Sequence, residues 1–98
     1  MSVLFEGSIV GVSFEPAKTN LSAAYDMGLT HIDLIPELDN PYDMNALAVV
    51  IGGDRVGYIP KPHNQILLQY GASRLKPIFI QWNLFEGEAV GLKIRVEL

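Results

Sequence analysis

The clearest pattern of apolar and polar positions lies in the last part of the chain. From residue 90 to residue 98 every second residue is apolar, and charged residues stand between them at 93, 95 and 97. A period of two places the apolar side chains on one face, so this segment predicts a half-buried β-strand. Residues 78–84 follow the same period, and the turn Glu86-Gly87-Glu88 joins the two segments into a predicted hairpin.

Further strands are predicted nearer the N-terminus. In residues 3–14 the apolar positions change parity near two glycines, which favours one long bent strand or two short ones. Residues 29–37 alternate and predict a strand, whereas residues 46–51 are apolar throughout and predict a strand covered on both faces. Gly52-Gly53-Asp54 is a hairpin signal, so residues 55–59 are expected to return antiparallel to residues 46–51.

Two short helices are predicted between these strands. Asn20 is typical of an N-cap, and residues 21–27 follow the i, i+3, i+4 apolar spacing, with Gly28 as a left-handed stop. A second helix is expected over residues 62–70, because a proline at its start and a glycine beyond its end favour those boundaries. Its expected apolar face consists of Ile66, Leu67 and Tyr70.

These elements together predict a mainly β (α+β) fold, namely a small partly closed β-barrel of five or six strands with two short helices. The 98 residues fit a single domain, 1–98, with one modest core. No apolar run reaches the roughly 18 residues that span a bilayer, no basic leader precedes the first strand, and cysteine is absent. We therefore expect a cytoplasmic protein with no membrane partner.

Charge is distributed unevenly along the chain, which carries a net charge of −4. Residues 1–54 hold one basic side chain against eight acidic ones, a net charge of −7, and residues 55–98 hold six against three, a net charge of +3. Such asymmetry favours a partner that meets the second half of the chain, although chance scatter explains it equally well.

The sequence carries no recognisable catalytic motif. It has no nucleophile elbow, phosphate-binding loop, dinucleotide fingerprint or zinc-protease helix, and its two histidines, His31 and His63, are expected at the surface. Glu37, Asp39 and Asp43 cluster enough carboxylates for a hard cation, but their spacing lacks the twelve-residue calcium loop. Neither an enzyme nor a cofactor is expected.

The most informative stretch is a polar corner, residues 37–45, which runs directly into the apolar strand 46–51. Asp and Asn side chains bond their own backbone and proline fixes φ, so the corner predicts a rigid turn. A turn alone does not require Tyr42 at its apex. It also does not require the second aromatic landmark that follows, Val56-Gly57-Tyr58-Ile59-Pro60.

Both landmarks resemble motifs of one known family. Residues 37–49, ELDNPYDMNALAV, followed by Val56-Gly57-Tyr58-Ile59-Pro60, resemble the HIRAN pattern of an acidic residue, N-P-Y-D-x-N-A-[IL]-x-V and [IV]-G-[YH]-[IL]-[PK]. The segment 11–14, Gly-Val-Ser-Phe, is similar to the family's early G-x-x-[YF]. The resemblance covers roughly residues 8–70. In place of the arginine that precedes the first aromatic in the family's DNA-end binders, this chain has Ser13.

The resemblance implies an OB-like β-barrel that grips the 3′ end of single-stranded DNA, in repair or replication-fork processing. It implies a helicase or nuclease supplied in trans as a further partner. The implied roles are stacking of the terminal base by Phe14 and Tyr42, binding of the 3′-hydroxyl by Asp43, turn and backbone contacts by Asn40, and phosphate-side contacts by Tyr58 and Lys61.

Three functional hypotheses follow. The first is a DNA 3′-end binding module. The second, suggested by the acidic half and by the exposed alternation of the last strand, is a protein-interaction or accessory domain that kept the fold and lost the DNA site. The third is a metal-dependent hydrolase that acts on nucleic-acid ends through the carboxylates of the corner.

Overall fold

The computed structural model describes residues 2–98 and contains six strands and two α-helices. In chain order the elements are β1 (Val3–Ser8), α1 (Ala17–Asp26), β2 (Ile32–Glu37), β3 (Ala46–Ile51), β4 (Asp54–Tyr58), α2 (Lys61–Tyr70), a 3₁₀ turn (Ala72–Arg74), β5 (Lys76–Phe85) and β6 (Glu88–Glu97). The strands form two antiparallel sheets. The first sheet has the order β1-β6-β5 and the second has the order β2-β3-β4.

The first sheet is built on the alternating strand β6. Leu92, Ile94 and Val96 are fully buried while Lys93 and Arg95 are only half-buried, which confirms the predicted half-buried strand. Glu97 departs from the alternation and is buried. Because β1 pairs with residues 93–97 on one side of β6 and β5 pairs along its other side, most of that strand has no free edge, which argues against an edge contact of the last strand with a partner.

The second sheet is built on β3, whose six residues are all buried. This confirms the prediction of a strand covered on both faces. The helix α1 packs against β4 and β6, and α2 packs against β3. Side chains of both sheets and both helices, including Leu21, Leu47, Leu67 and Ile94, belong to one hydrophobic core.

The two sheets are joined by the chain just after β1. The Ile9 N–H donates to the Leu92 carbonyl in the first sheet (3.0 Å), and Val10 and Tyr58 exchange two backbone hydrogen bonds of 2.8 and 2.9 Å. Gly57 permits this approach, since a Cβ there would lie 2.8 Å from the Val10 carbonyl oxygen. On the other side, β2 and β5 pack together without a backbone hydrogen bond within residues 2–98. The predicted mainly β, partly closed fold is confirmed.

The N-terminal boundaries differ from the predictions. Of the two alternatives predicted for residues 3–14, the single long strand is wrong, because β1 ends at Ser8 and only Ile9 and Val10 form backbone hydrogen bonds to the sheets beyond it. The helix α1 begins at Ala17, not after Asn20. Its first turn is stabilised from outside by the Glu15 carboxylate, which accepts hydrogen bonds from the N–H and hydroxyl of Thr19 (2.9 and 2.7 Å).

Asn20 is therefore not an N-cap. Its side-chain amide donates to the Arg55 carbonyl instead (2.9 Å), so it ties α1 to β4. Gly28 follows the helix with φ +68°, as predicted for a left-handed stop.

The face that α2 buries also differs from the prediction. Leu67 is buried, but Ile66 and Tyr70 are exposed, and Asn64 takes a buried position with 3% of its surface accessible. A helix buries side chains three or four residues apart, and Asn64 and Leu67 satisfy this spacing. The burial of Asn64 is compensated in part, because Asp43 accepts a hydrogen bond from its Nδ2 (2.8 Å), whereas its Oδ1 is buried with no hydrogen-bond partner within residues 2–98. No helix within residues 2–98 is long and apolar enough to cross a membrane.

Candidate functional site

An open pocket of about 1010 Å³ lies where the connection from β1 to α1, the corner, the end of β4 and the start of α2 come together. Its lining includes all six residues to which the family resemblance assigns a contact with DNA. These are Phe14, Asn40, Tyr42, Asp43, Tyr58 and Lys61. Phe14 and Lys61, which are 47 positions apart in the sequence, thus lie on one concave surface.

Two aromatic rings at this pocket are strongly exposed. Phe14 exposes 73% of its surface and Tyr42 exposes 89%. Exposed aromatic rings in one concavity offer flat apolar faces on which a planar ligand stacks. Phe14 is anchored through its backbone, since its carbonyl accepts the N–H of Lys18 at the start of α1 (3.1 Å).

Asn40 organises the corner. Its Oδ1 accepts the backbone N–H groups of Tyr42 (2.9 Å) and Asp43 (3.1 Å), and its own N–H donates to the Glu37 carbonyl (3.2 Å). This is the side-chain-to-backbone bonding that lets Asn replace part of a turn. The backbone that carries Tyr42 and Asp43 is therefore held by one amide side chain.

The Asp43 carboxylate is held on both oxygens. Oδ1 accepts the N–H of Asn45 (2.9 Å), and Oδ2 accepts the side-chain amide of Asn64 (2.8 Å). The Asn45 hydrogen bond is the main cause that lowers the pKa of Asp43; Asn64 and the charge of Lys61 also lower it, and partial burial opposes them. Since a carboxylate has about four acceptor positions, the ionised group retains capacity for a further donor.

Tyr58 lies behind the corner and its hydroxyl is engaged by the protein. The hydroxyl donates to Glu37 Oε1 (2.7 Å) and accepts from Arg55 Nη1 (2.7 Å), with a longer contact from Asn40 Nδ2 (3.5 Å). Burial is the main cause that raises the pKa of Tyr58, and the hydrogen bond to Glu37 raises it further, while Arg55 opposes both. The phenol is therefore neutral at physiological pH.

The charge of the pocket is mixed. Three carboxylates, those of Glu37, Asp39 and Asp43, line it together with the cations Arg55 and Lys61. The Arg55 guanidinium is directed at the protein, 3.9 Å from Glu37 and 5.0 Å from the centre of the Tyr58 ring. Lys61 is exposed and forms no ion pair within residues 2–98.

Sequence reasoning did not find the roles of Asn64 and Arg55. Asn64 supports Asp43 from α2, and Arg55 supports Tyr58 from β4. A signal for Asn64 was available, because it stands three residues before Leu67 and one turn after Lys61 on the same helix. No local pattern marks Arg55 as a partner of Tyr58 rather than as a surface cation.

The two histidines that the sequence analysis considered do not line the pocket. His31 is exposed beside Asp33, and the ring of His63 packs edge-on against Phe5 with 4.8 Å between ring centres. In the part of the chain that the structure describes, no group of three or more His, Asp or Glu side chains is arranged to hold a metal ion. The geometry therefore offers no argument for the metal-dependent hydrolase.

Comparisons with known proteins give no further guidance. No family model matches the chain, and the searches of curated proteins and of solved structures found no match. The likeness to the HIRAN pattern consequently depends on the motifs in the sequence.

Proposed function

We propose that this chain is a HIRAN-like, OB-like module that binds the 3′-hydroxyl end of single-stranded DNA. The observation that carries the proposal is the convergence of all six motif residues on one open pocket, in which two exposed aromatic rings accompany an ionised carboxylate. In this proposal the module acts in DNA repair or fork processing in the cytoplasm, beside a helicase or nuclease that another chain supplies.

Stacking provides the larger part of the expected affinity. A base that stacks on an aromatic side chain gains about 1–3 kcal/mol, and any base has a suitable face. Phe14 and Tyr42 are exposed enough to receive a base without displacing protein atoms. The binding energy of this part of the site is therefore largely independent of sequence.

The Asp43 carboxylate provides the distinction between an end and an internal nucleotide. Only a terminal sugar has a 3′-hydroxyl, and a carboxylate accepts a short, charge-assisted hydrogen bond from such a donor. A 3′-phosphate would instead place two negative groups against each other. The lowered pKa keeps the carboxylate ionised at neutral pH, as this role requires.

Phosphate contacts are expected to be few. Lys61 is the exposed cation of the pocket, and the three carboxylates around it would repel a long phosphate chain. Recognition of one end with little backbone contact is compatible with such a surface. Affinity should accordingly be measured at low salt, about 50 mM, where the phosphate contribution is largest.

The test is a fluorescence anisotropy titration with oligodeoxythymidines that differ only at the 3′ end. The 3′-hydroxyl form should bind and the 3′-phosphate form should bind much more weakly. Equal affinity for both forms, or no binding at low salt, would contradict the proposal. Replacing deoxyribose by ribose in the same oligomers separates a DNA ligand from an RNA ligand.

Two matched variants test whether the pocket is the DNA-binding site. Tyr42→Ala should weaken binding by about 1–3 kcal/mol, roughly five- to 150-fold, because one stacking face is lost. Phe85→Ala is the control, since Phe85 is an exposed aromatic residue that does not line the pocket. If Phe85→Ala weakened binding as much as Tyr42→Ala, the pocket would not be the site.

One observation favours the second candidate, a protein-interaction domain. Three apolar side chains at the tip of the β5–β6 hairpin, Leu84, Phe85 and Val90, are exposed. Apolar groups that cluster at a surface often mark a protein contact. Light scattering of the wild type and of Phe85→Lys would test this: self-association that the variant abolishes would support it, and a monomer in both cases would not.

A further inference from the structure

We infer that Tyr58 and Arg55 are positioning residues which fix the DNA-end site through Asn40, and that neither binds phosphate. This inference rests on the proposed function and deepens it, because it identifies what gives the site its selectivity for the 3′-hydroxyl. It assigns Tyr58 a different role from the phosphate-side contact that the family resemblance implies.

The hydroxyl of Tyr58 has no bonding position left for a phosphate. A phenol hydroxyl has one donor and two acceptor positions. The donor is used by Glu37 Oε1, one acceptor by Arg55 Nη1, and the other faces Asn40 Nδ2. A phosphate oxygen needs the donor, and it could obtain it only by breaking the 2.7 Å hydrogen bond to Glu37.

The network passes from Tyr58 to the residues that would contact DNA. Glu37 Oε1 accepts from both the Tyr58 hydroxyl (2.7 Å) and the Asn40 amide (3.2 Å). The other end of the same Asn40 side chain accepts the backbone N–H groups of Tyr42 and Asp43. The orientation of the Asn40 amide therefore sets the backbone that presents the stacking ring and the carboxylate.

Arg55 supports this network from behind. Its side chain lies over the Tyr58 ring and donates to the hydroxyl, and its backbone carbonyl accepts the amide of Asn20 from α1. Its Nε is buried and has no partner within residues 2–98. Arg55 Nη1 is thus directed at the Tyr58 hydroxyl, and Lys61, which is exposed and forms no ion pair within residues 2–98, is the cation available for a phosphate contact.

The first test uses Tyr58→Phe, which removes one oxygen and keeps the ring. Amide proton exchange, measured by NMR on the free protein, should accelerate about three- to tenfold at Tyr42 and Asp43, because the neutral hydrogen bonds that these two amides donate to Asn40 Oδ1 should weaken. Tyr25→Phe is the control, because Tyr25 packs against Trp82 outside the pocket. Unchanged exchange at Tyr42 and Asp43 in Tyr58→Phe would overturn the inference.

The second test measures DNA binding in the same variants. Tyr58→Phe should lower the affinity for the 3′-hydroxyl oligomer about three- to tenfold and reduce the ratio of 3′-hydroxyl to 3′-phosphate affinity. Arg55→Gln should also weaken binding without changing the slope of log affinity against log salt. Lys61→Ala should reduce that slope by about 0.7.

A slope that falls as much in Arg55→Gln as in Lys61→Ala would make Arg55 a phosphate ligand and overturn the inference. The exchange measurement requires no DNA. If the wild type does not bind any oligomer, the proposed function fails, while the exchange rates still decide whether Tyr58 positions the corner.

Discussion

The two sheets of this molecule have central strands of different kinds. In the first sheet, β6 buries the apolar side chains of Leu92, Ile94 and Val96 and leaves Lys93 and Arg95 partly exposed, and Arg95 pairs with Glu6 (2.7 Å). In the second sheet, β3 buries every residue, and the polar groups are concentrated in the corner that precedes it. The first sheet is thus held by apolar packing, whereas the corner of the second is held by side-chain hydrogen bonds.

Because of this difference, the stability of the fold and the geometry of the pocket should depend on different residues. Removing apolar volume from the first sheet should affect unfolding and leave the pocket intact. Removing a hydrogen bond from the corner should affect the pocket and change the stability little. The predictions that follow test this separation in order of decreasing effect on stability.

The largest effect is expected in the first sheet. Ile94→Ala removes a fully buried side chain from β6 and should lower the free energy of unfolding by about 2–5 kcal/mol, because a cavity is left in the core. Chemical denaturation measures this change. Ile78→Ala in the neighbouring strand is the control. Since Ile78 is exposed, its substitution should lower the free energy of unfolding much less. Ile94→Ala protein that remains folded should keep the proposed affinity for DNA.

A smaller effect is expected at the junction of the two sheets. A Cβ at Gly57 would lie 2.8 Å from both Ile9 Cδ1 and the Val10 carbonyl oxygen, so Gly57→Ala must separate the paired backbones. Overpacking of this kind costs about 1–3 kcal/mol of unfolding free energy. Since Tyr58 is the next residue, DNA affinity should fall as well. A variant with wild-type stability and affinity would show that close packing at the junction is required for neither property.

The corner should make stability depend on pH. The pKa of Asp43 is lowered in the folded protein, so the ionised group stabilises the fold above its unfolded pKa of about 3.9, and this contribution is lost as the pH falls through the lower, folded pKa. Asp43→Asn should therefore be less stable than the wild type at neutral pH. The difference should narrow on acidification below about pH 4. Thermal melts across this range measure it, and a constant difference would contradict the assignment.

The smallest effect is expected at the surface of the first sheet. Glu6 and Arg95 form an exposed ion pair, and Glu6→Gln should change the melting temperature little because water and salt screen exposed charges. A melting temperature that falls as far as that of Gly57→Ala would show that surface charge, and not apolar packing, holds this sheet.

The fold was predictable from the sequence where one residue pattern determines the structure. Alternation identified β6, the continuous apolar run identified β3, and Gly28 marked the end of α1. The start of α1 was not predictable in this way, because the sequence offers two polar side chains, those of Glu15 and Asn20, that could bond the first turn of the helix. Glu15 bonds the first turn, and Asn20 bonds Arg55 on a strand 35 residues away.

The candidate site was predictable only in part, for a similar reason. The motif and the turn chemistry identified the residues of the corner, and the fold brings them to one pocket. The supporting contacts join residues 21 positions apart, namely Glu37 with Tyr58 and Asp43 with Asn64. Such contacts depend on how β4 and α2 pack against the corner; helical spacing could have placed Asn64 on the buried face of α2, but no local pattern in the sequence identifies its partner or that of Glu37.

The most direct test of the central claim is an NMR titration of the labelled protein with a short 3′-hydroxyl oligodeoxythymidine at low salt. If the corner binds DNA, the largest amide shifts will occur around the pocket, in residues 11–14, 40–46 and 58–64, and β5 and β6 will change little. Shifts centred on the first sheet, or no saturable shifts at all, would contradict the claim that the corner is the DNA-binding part of this molecule.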